Sequence, residues 1–72
     1  MTPREVDCLR FIEAFRAGHD YGPSYEEMAE GLGIVSKSGV SRLVHSLARQ
    51  GRITIDPGLH RSIDIPAERL AA

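Results

Sequence analysis

The 72-residue chain has no tryptophan, a single cysteine and an aromatic content of only 6%. One cysteine excludes a disulfide within the chain and suits a reducing compartment. No apolar run approaches the roughly 20 residues that span a bilayer, and the amino terminus carries no signal-peptide pattern. Neither membrane association nor secretion is expected, and the expected location is the cytoplasm. An excess of one charge is missing too. The formal net charge is −1, which argues against binding polyanions by bulk charge alone. His19, His45 and His60 are too dispersed for a metal site without a second ligand at close spacing. No Ser/His/Asp or paired-carboxylate arrangement stands out, and a domain this small rarely encloses an active site. No catalysis, cofactor or small-molecule substrate is expected. Cys8, on the apolar stripe of the first helix, reads as an inert buried thiol. The length allows one domain with a thin core, burying about 60% of the surface of the unfolded chain.

The distribution of charge says more than its total. Up to Gly33, Arg4, Arg10 and Arg16 face Glu5, Asp7, Glu13, Asp20, Glu26, Glu27 and Glu30. From Ile34 to Ser62, Lys37, Arg42, Arg49, Arg52 and Arg61 stand against Asp56 alone, with His45 and His60 among them. A basic half on a near-neutral chain can face phosphates, while an acidic half limits non-specific adhesion.

Local signals divide the chain into three helices and a hairpin. Thr2 and Pro3 read as an N-cap and first helical residue, and Glu5 completes a capping box. Cys8, Leu9, Phe11, Ile12 and Phe15 follow at helical spacing as far as Gly18. Ser24 and Glu27 form a second capping box, opening a short helix that ends near Gly31, with Met28, Ala29 and Leu32 inward. Gly33 marks a turn suited to positive φ. A third helix starts near Ser36, Lys37 or Ser38 and runs to about Gln50. Val40, Leu43, Val44 and Leu47 make its apolar stripe, and Gly51 follows its end. The period then changes to two. Ile53, Ile55, Ile63 and Ile65 would share one face of an antiparallel hairpin around Asp56-Pro57-Gly58, packed on the helices. The expected core is Leu9, Ile12, Phe15, Met28, Leu32, Val40, Leu43, Leu47, Ile53 and Ile63, with Leu43 and Leu47 nearly fully buried.

Two short helices joined by a glycine-containing turn form a helix-turn-helix, and the following hairpin makes the arrangement winged. The expected fold is therefore mainly α with a small β-hairpin, over residues 1–66, followed by a short tail at 67–72. In such a motif the second helix enters the DNA major groove. At about 100° per residue, Ser38, Ser41, Arg42, His45 and Arg49 gather opposite the apolar stripe. Arg42, mid-helix, can bond bidentately to guanine O6 and N7. Ser38 and Ser41 can meet bases or phosphates. Ser36 and Lys37, beside free amides at the helix start, suit phosphate. His45 can meet the backbone, and Arg49 and Arg52, late on the helix and at the base of the wing, suit phosphate. His60 and Arg61 at the wing tip can enter a minor groove, meet phosphate, or simply deter edge-strand pairing.

The segments TPREVDCLRFI, GPSYEEMAEGLGI, SKSGVSRLVHSLARQGRI and HRSIDI together resemble the amino-terminal DNA-binding domain of the LexA repressors. The resemblance runs from Thr2 to Ile65. Its most specific parts are the Thr-x-Arg opening, the Pro-Ser/Thr-x-x-Glu-[Ile/Met]-Ala start of the second helix and the Leu-Ala-Arg-x-Gly end of the third. It implies a winged helix-turn-helix and sequence-specific binding of double-stranded DNA. The family reads bases with a Ser-x-Asn-Ala-x-Glu-Glu-like constellation. Its matching positions here are Ser36, Ser38, Gly39, Ser41 and Arg42, so an amide and two acids have become two serines and an arginine. The family's operator does not carry over. The family continues into a linker with a self-cleavage site and a Ser-Lys peptidase domain that also dimerises. With 72 residues taken as the whole chain, the expectation is a regulator that does not cleave itself.

The expected role is that of a small bacterial or phage transcriptional regulator, nucleoid-associated when bound to DNA. Its occupancy would be raised by a homodimer, a tandem site or a partner regulatory protein. The alternative, from another class, is a protein-binding winged helix that uses the acidic helices or the tail. The terminal Leu70-Ala71-Ala72 resembles the ending of the bacterial tag for stalled translation products, which would make it a proteolytic address.

Overall fold

Thr2 holds the first turn of α1 (Pro3–Gly18) in a complete capping box. Its Oγ1 accepts from the Glu5 amide at 3.2 Å, and its own amide donates to Glu5 Oε1 at 2.8 Å. Pro3 sits where its missing N–H costs nothing. Ser24 and Glu27 repeat the arrangement at the start of α2 (Tyr25–Leu32), with distances of 3.2 and 2.8 Å. Ser36 caps α3 (Lys37–Arg49), its Oγ accepting from the Gly39 amide at 3.2 Å. The computed structural model describes residues 1–56 and 63–66. The expected wing-tip residues His60 and Arg61, most of the turn, and the tail with Leu70-Ala71-Ala72 lie outside the described residues.

Both later helices end on a glycine that turns the chain back. Gly33 has φ 70° and Gly51 φ 73°, the left-handed region that glycine enters without steric cost. The Ile34 amide then donates to Ala29 O at 2.9 Å, and the Arg52 amide to Leu47 O at 3.0 Å. These are the back-bonds of a Schellman ending. The chain therefore leaves α2 at a fixed angle and re-enters a helix after four residues, and it leaves α3 directly into the hairpin.

The hairpin is short and antiparallel: β1 (Thr54–Ile55) pairs with β2 (Ile63–Asp64), Thr54 opposite Asp64 and Ile55 opposite Ile63. Ile53, Ile63 and Ile65 are buried, and Ile55 packs half-buried against them. The isoleucine face thus closes on the helices as its alternation predicts. Two further contacts fasten it. Arg16 Nε donates to Asp64 Oδ1 at 3.0 Å, linking the end of α1 to β2. The backbone of Gly22 lies against the Ile63 carbonyl so closely that a Cβ there would fall well inside the 3.0 Å that Cβ atoms keep.

α1, α2 and α3 pack mutually around Cys8, Leu9, Ile12, Met28, Val40, Val44 and Leu47, all buried. Three core expectations need correction. Leu43 is half-buried, because it sits about 60° from the centre of a stripe defined by Val40, Val44 and Leu47. Leu32, the last residue of α2, is half-buried at the rim of the cluster. Phe15 is half-buried outside the cluster, its ring stacked on His19 with centroids 4.0 Å apart and edge-on to Tyr21 at 5.9 Å. Burial at Cys8 raises its thiol pKa to about 11, which keeps it protonated and unreactive.

Sequence patterning alone gave no hint of how α1 and α3 are locked together. Beyond its capping role, the Glu5 carboxylate accepts a hydrogen bond from the Ser46 hydroxyl and another from Gln50 Nε2 at 3.2 Å. The Ser46 hydroxyl, followed by the Thr2 amide, holds the Glu5 pKa down to about 2. A glutamate at a capping position on α1 is thus also the anchor of α3, the helix that carries the candidate site.

Candidate nucleic-acid interface

α3 has two unlike faces. Val40, Val44 and Leu47 are fully buried. Ser38, Arg42, His45 and Arg49 are exposed on the other side, and Ser41 is half-exposed among them. The helix is therefore pinned from beneath by aliphatic packing and by the Glu5 anchor, and it presents a polar and cationic ridge to solvent. Among the described residues, Arg42 and Arg49 take part in no ion pair. Their guanidiniums are available to an outside acceptor, and a guanidinium fork matches both guanine and phosphate.

The side chains at the start of α3 are more engaged than their sequence positions suggest. Ser36 Oγ holds the cap and lies 3.3 Å from Ser38 Oγ. What Ser36 offers a ligand is therefore its rigid place at the helix mouth rather than an idle hydroxyl. Gly39 is half-buried, and a Cβ there would lie 3.0 Å from Ile34 Cγ2. A side chain at this position would press on Ile34 and ask it to shift by a few tenths of an ångström. Lys37 Nζ donates to Glu26 Oε1 of α2 at 3.5 Å.

Farther along, the His45 ring folds back over the preceding turn. Its Nδ1 lies 2.8 Å from Ser41 O and 3.2 Å from Ser41 Oγ. A carbonyl oxygen only accepts, so Nδ1 is the donor in that contact. Arg49 closes the helix, and Arg52 follows the Gly51 turn half-buried at the root of the hairpin. Ser38, Ser41, Arg42, His45 and Arg49 therefore share the face of α3 opposite the buried residues, with Ser36 and Lys37 at the helix start and Arg52 just beyond its end. His60 and Arg61 lie outside the described residues.

Glu26 was not among the expected site residues. The available signal was its place in the first turn of α2 next to Glu27. Glu27 is committed to the cap through Ser24, whereas Glu26 has no capping role and is free to reach across the turn.

Comparison with known proteins adds an independent line. The sequence model of the LexA DNA binding domain family matches residues 1–62. The LexA repressor of Pseudomonas aeruginosa (strain UCBPP-PA14) is 36% identical over 66 residues, covering 92% of this chain and 32% of the relative. The LexA repressor of Geobacter metallireducens is 37% identical over 65 residues, covering 90% of this chain and 32% of the relative. LexA repressor 1 of Pseudomonas putida is 35% identical over 66 residues, with 92% and 33% covered. The chain thus spans about a third of the length of the curated relatives it matches.

Proposed function

The chain belongs to the LexA DNA-binding domain family, and from that premise we propose that it serves a transcriptional regulator by reading duplex DNA with α3 in the major groove. One observation carries the assignment of the reading face. The exposed polar strip of α3 lies opposite three fully buried aliphatic residues, so it is the side of this helix turned most fully to solvent. α2 braces that helix across the DNA backbone, as the first helix of such motifs does. Arg42 reads guanine, Ser38 and Ser41 contact neighbouring bases or phosphates, and His45 meets the backbone. Ser36, Lys37 and Gly39 bring the mouth of the helix against the backbone. Arg49 and Arg52 hold phosphates, and the wing residues His60 and Arg61 add phosphate or minor-groove contacts.

One module of this size buries roughly 600–1,000 Å² of protein surface on DNA, which supports modest affinity. Paired half-sites, filled by a homodimer or together with another regulatory protein, would raise occupancy, with centres about one helical turn or a multiple apart. The protein-binding alternative, suggested by the acidic first half, gains no support from the family match. The peptidase activity and dimerisation implied by the family's longer members are not assigned to these residues.

The test is a pair of substitutions read on a preferred duplex and on unrelated duplexes. Arg42→Ala should cost roughly 1–3 kcal/mol on the preferred sequence and relax choice at one base pair. Arg49→Ala should weaken all sequences alike and flatten the salt dependence by about one unit. Equal weakening of every sequence by Arg42→Ala would assign it to phosphate and remove it as a reader.

A further inference from the structure

Resting on the reading that the start of α3 faces the DNA backbone, we propose that Glu26 is a built-in counter-charge that suppresses the sequence-independent part of DNA binding by occupying Lys37. The pair spans the two helices of the motif, with Lys37 Nζ 3.5 Å from Glu26 Oε1 and both side chains well exposed, at 70% and 78%. Exposed pairs of this kind contribute little to stability. Its interest lies in what Lys37 would otherwise do.

Lys37 is the first residue of α3. A cation at that end is opposed by the helix dipole, so helix stability does not call for it there. A phosphate at the same place would be favoured by both the dipole and the ammonium. Glu26 is the acid positioned to intervene. Glu27, its neighbour, has its carboxylate turned back to the Ser24 amide at 2.8 Å. Glu26 is left to cross to Lys37.

The consequence follows from counterion release. A free lysine that docks on a phosphate displaces a condensed cation and adds about 0.9 to the slope of log K against log salt. A lysine already matched by a carboxylate gains less. To meet phosphate it must leave Glu26, or else bring a negative charge up to the DNA. Either way the contact is muted on every sequence, while Arg42 and the other strip residues are untouched. The ratio of specific to non-specific binding then rests more on base reading and less on charge. This also fits a chain whose net charge is −1 and of whose nine Lys and Arg residues five lie in residues 34–62.

The experiment is a double-mutant cycle on the 72-residue protein: wild type, Glu26→Gln, Lys37→Gln and both together. Binding to a random-sequence duplex is measured across a salt series, with melting temperatures recorded for all four. Glu26→Gln should tighten binding about fivefold at low salt, the scale of one ion pair in high dielectric. It should also steepen the salt slope by about one unit. In the Lys37→Gln background the same substitution should change neither quantity appreciably. A helix-stability role for Glu26 would move the melting temperature but not the slope. No change on Glu26→Gln would overturn the proposal. So would an equal gain with and without Lys37, which would mean that Glu26 acts only through the long-range field. If wild type binds DNA but Lys37→Gln has no effect in either background, the placement of the α3 start on phosphate fails and the proposal falls with it. If wild type binds no duplex, the DNA-binding reading itself has failed.

Discussion

Gly22→Ala is a one-methyl change at a loop position, and the structure makes it a severe one. A Cβ at Gly22 would fall within contact-forbidden distance of the Ile63 carbonyl, with Asp64 N also close by at 3.6 Å. The obstacle is backbone rather than a flexible side-chain end, so relief requires β2 or the α1–α2 loop to move. Both are tied down: Pro23 and Ser24 are buried immediately after Gly22, Ser24 caps α2, and β2 is held by Ile63 in the core and by Asp64 on Arg16. Overpacking of this kind costs about 1–3 kcal/mol, and more where backbone must shift. A domain of this length has roughly 4–11 kcal/mol of stability in all. At about 4–8 °C per kcal/mol for small domains, the melting temperature should fall by at least about 4 °C and by as much as 25 °C. Gly18→Ala is the matched control. It lies at the end of α1 with nothing within 4 Å of its virtual Cβ, so it should stabilise by about 0.5–1 kcal/mol through reduced backbone entropy. Thermal and urea denaturation followed by circular dichroism would measure both, and amide exchange at Ile63 and Asp64 would report whether the wing detaches. A Gly22→Ala protein as stable as wild type, with unchanged exchange in β2, would refute the account of how the hairpin is seated.

Further outcomes follow from the core and from the Glu5 anchor. Leu47→Ala, at a fully buried position, should cost about 2–5 kcal/mol. Leu43→Ala should cost clearly less, and a reversed order in urea denaturation would mean that α3 is phased differently. Glu5 has its pKa lowered from 4.5 to about 2, so its contribution is complete above about pH 4.5 and is lost as the pH falls toward about 2. Melting temperatures of wild type and Glu5→Gln should therefore differ at neutral pH and converge in that acid window, whereas a constant gap would show that the ionised carboxylate is not what ties α1 to α3.

Elements whose cause is local were legible in the sequence. Both capping boxes are written in residues three apart, Thr2 with Glu5 and Ser24 with Glu27, and a positive φ is needed where Gly33 and Gly51 stand. Period two around Ile53, Ile55, Ile63 and Ile65 was enough to orient the hairpin. What escaped depends on neighbours distant in sequence. Leu43 matches a helical apolar pattern as well as Val44 does, and only the positions of α1 and α2 decide which of them is covered. Phe15 has the spacing of a core residue but lies past the three-helix contact, where His19 and Tyr21 receive its ring. The Glu5–Ser46 and Glu26–Lys37 contacts join residues on different helices, and no periodicity within one helix encodes them. For the candidate site, the polar strip of α3 followed from the phasing of a single helix. The engagement of Ser36, Lys37 and His45 with their neighbours did not.

The central claim is that the exposed face of α3 reads sequence. Selection from a pool of random duplexes by the purified protein, carried out at two salt concentrations, tests it most directly. The account predicts one enriched motif, retained at the higher salt as non-specific binding declines, and altered at a single position when the selection is repeated with Arg42→Ala. Recovery of featureless sequences that vanish as salt rises would contradict it.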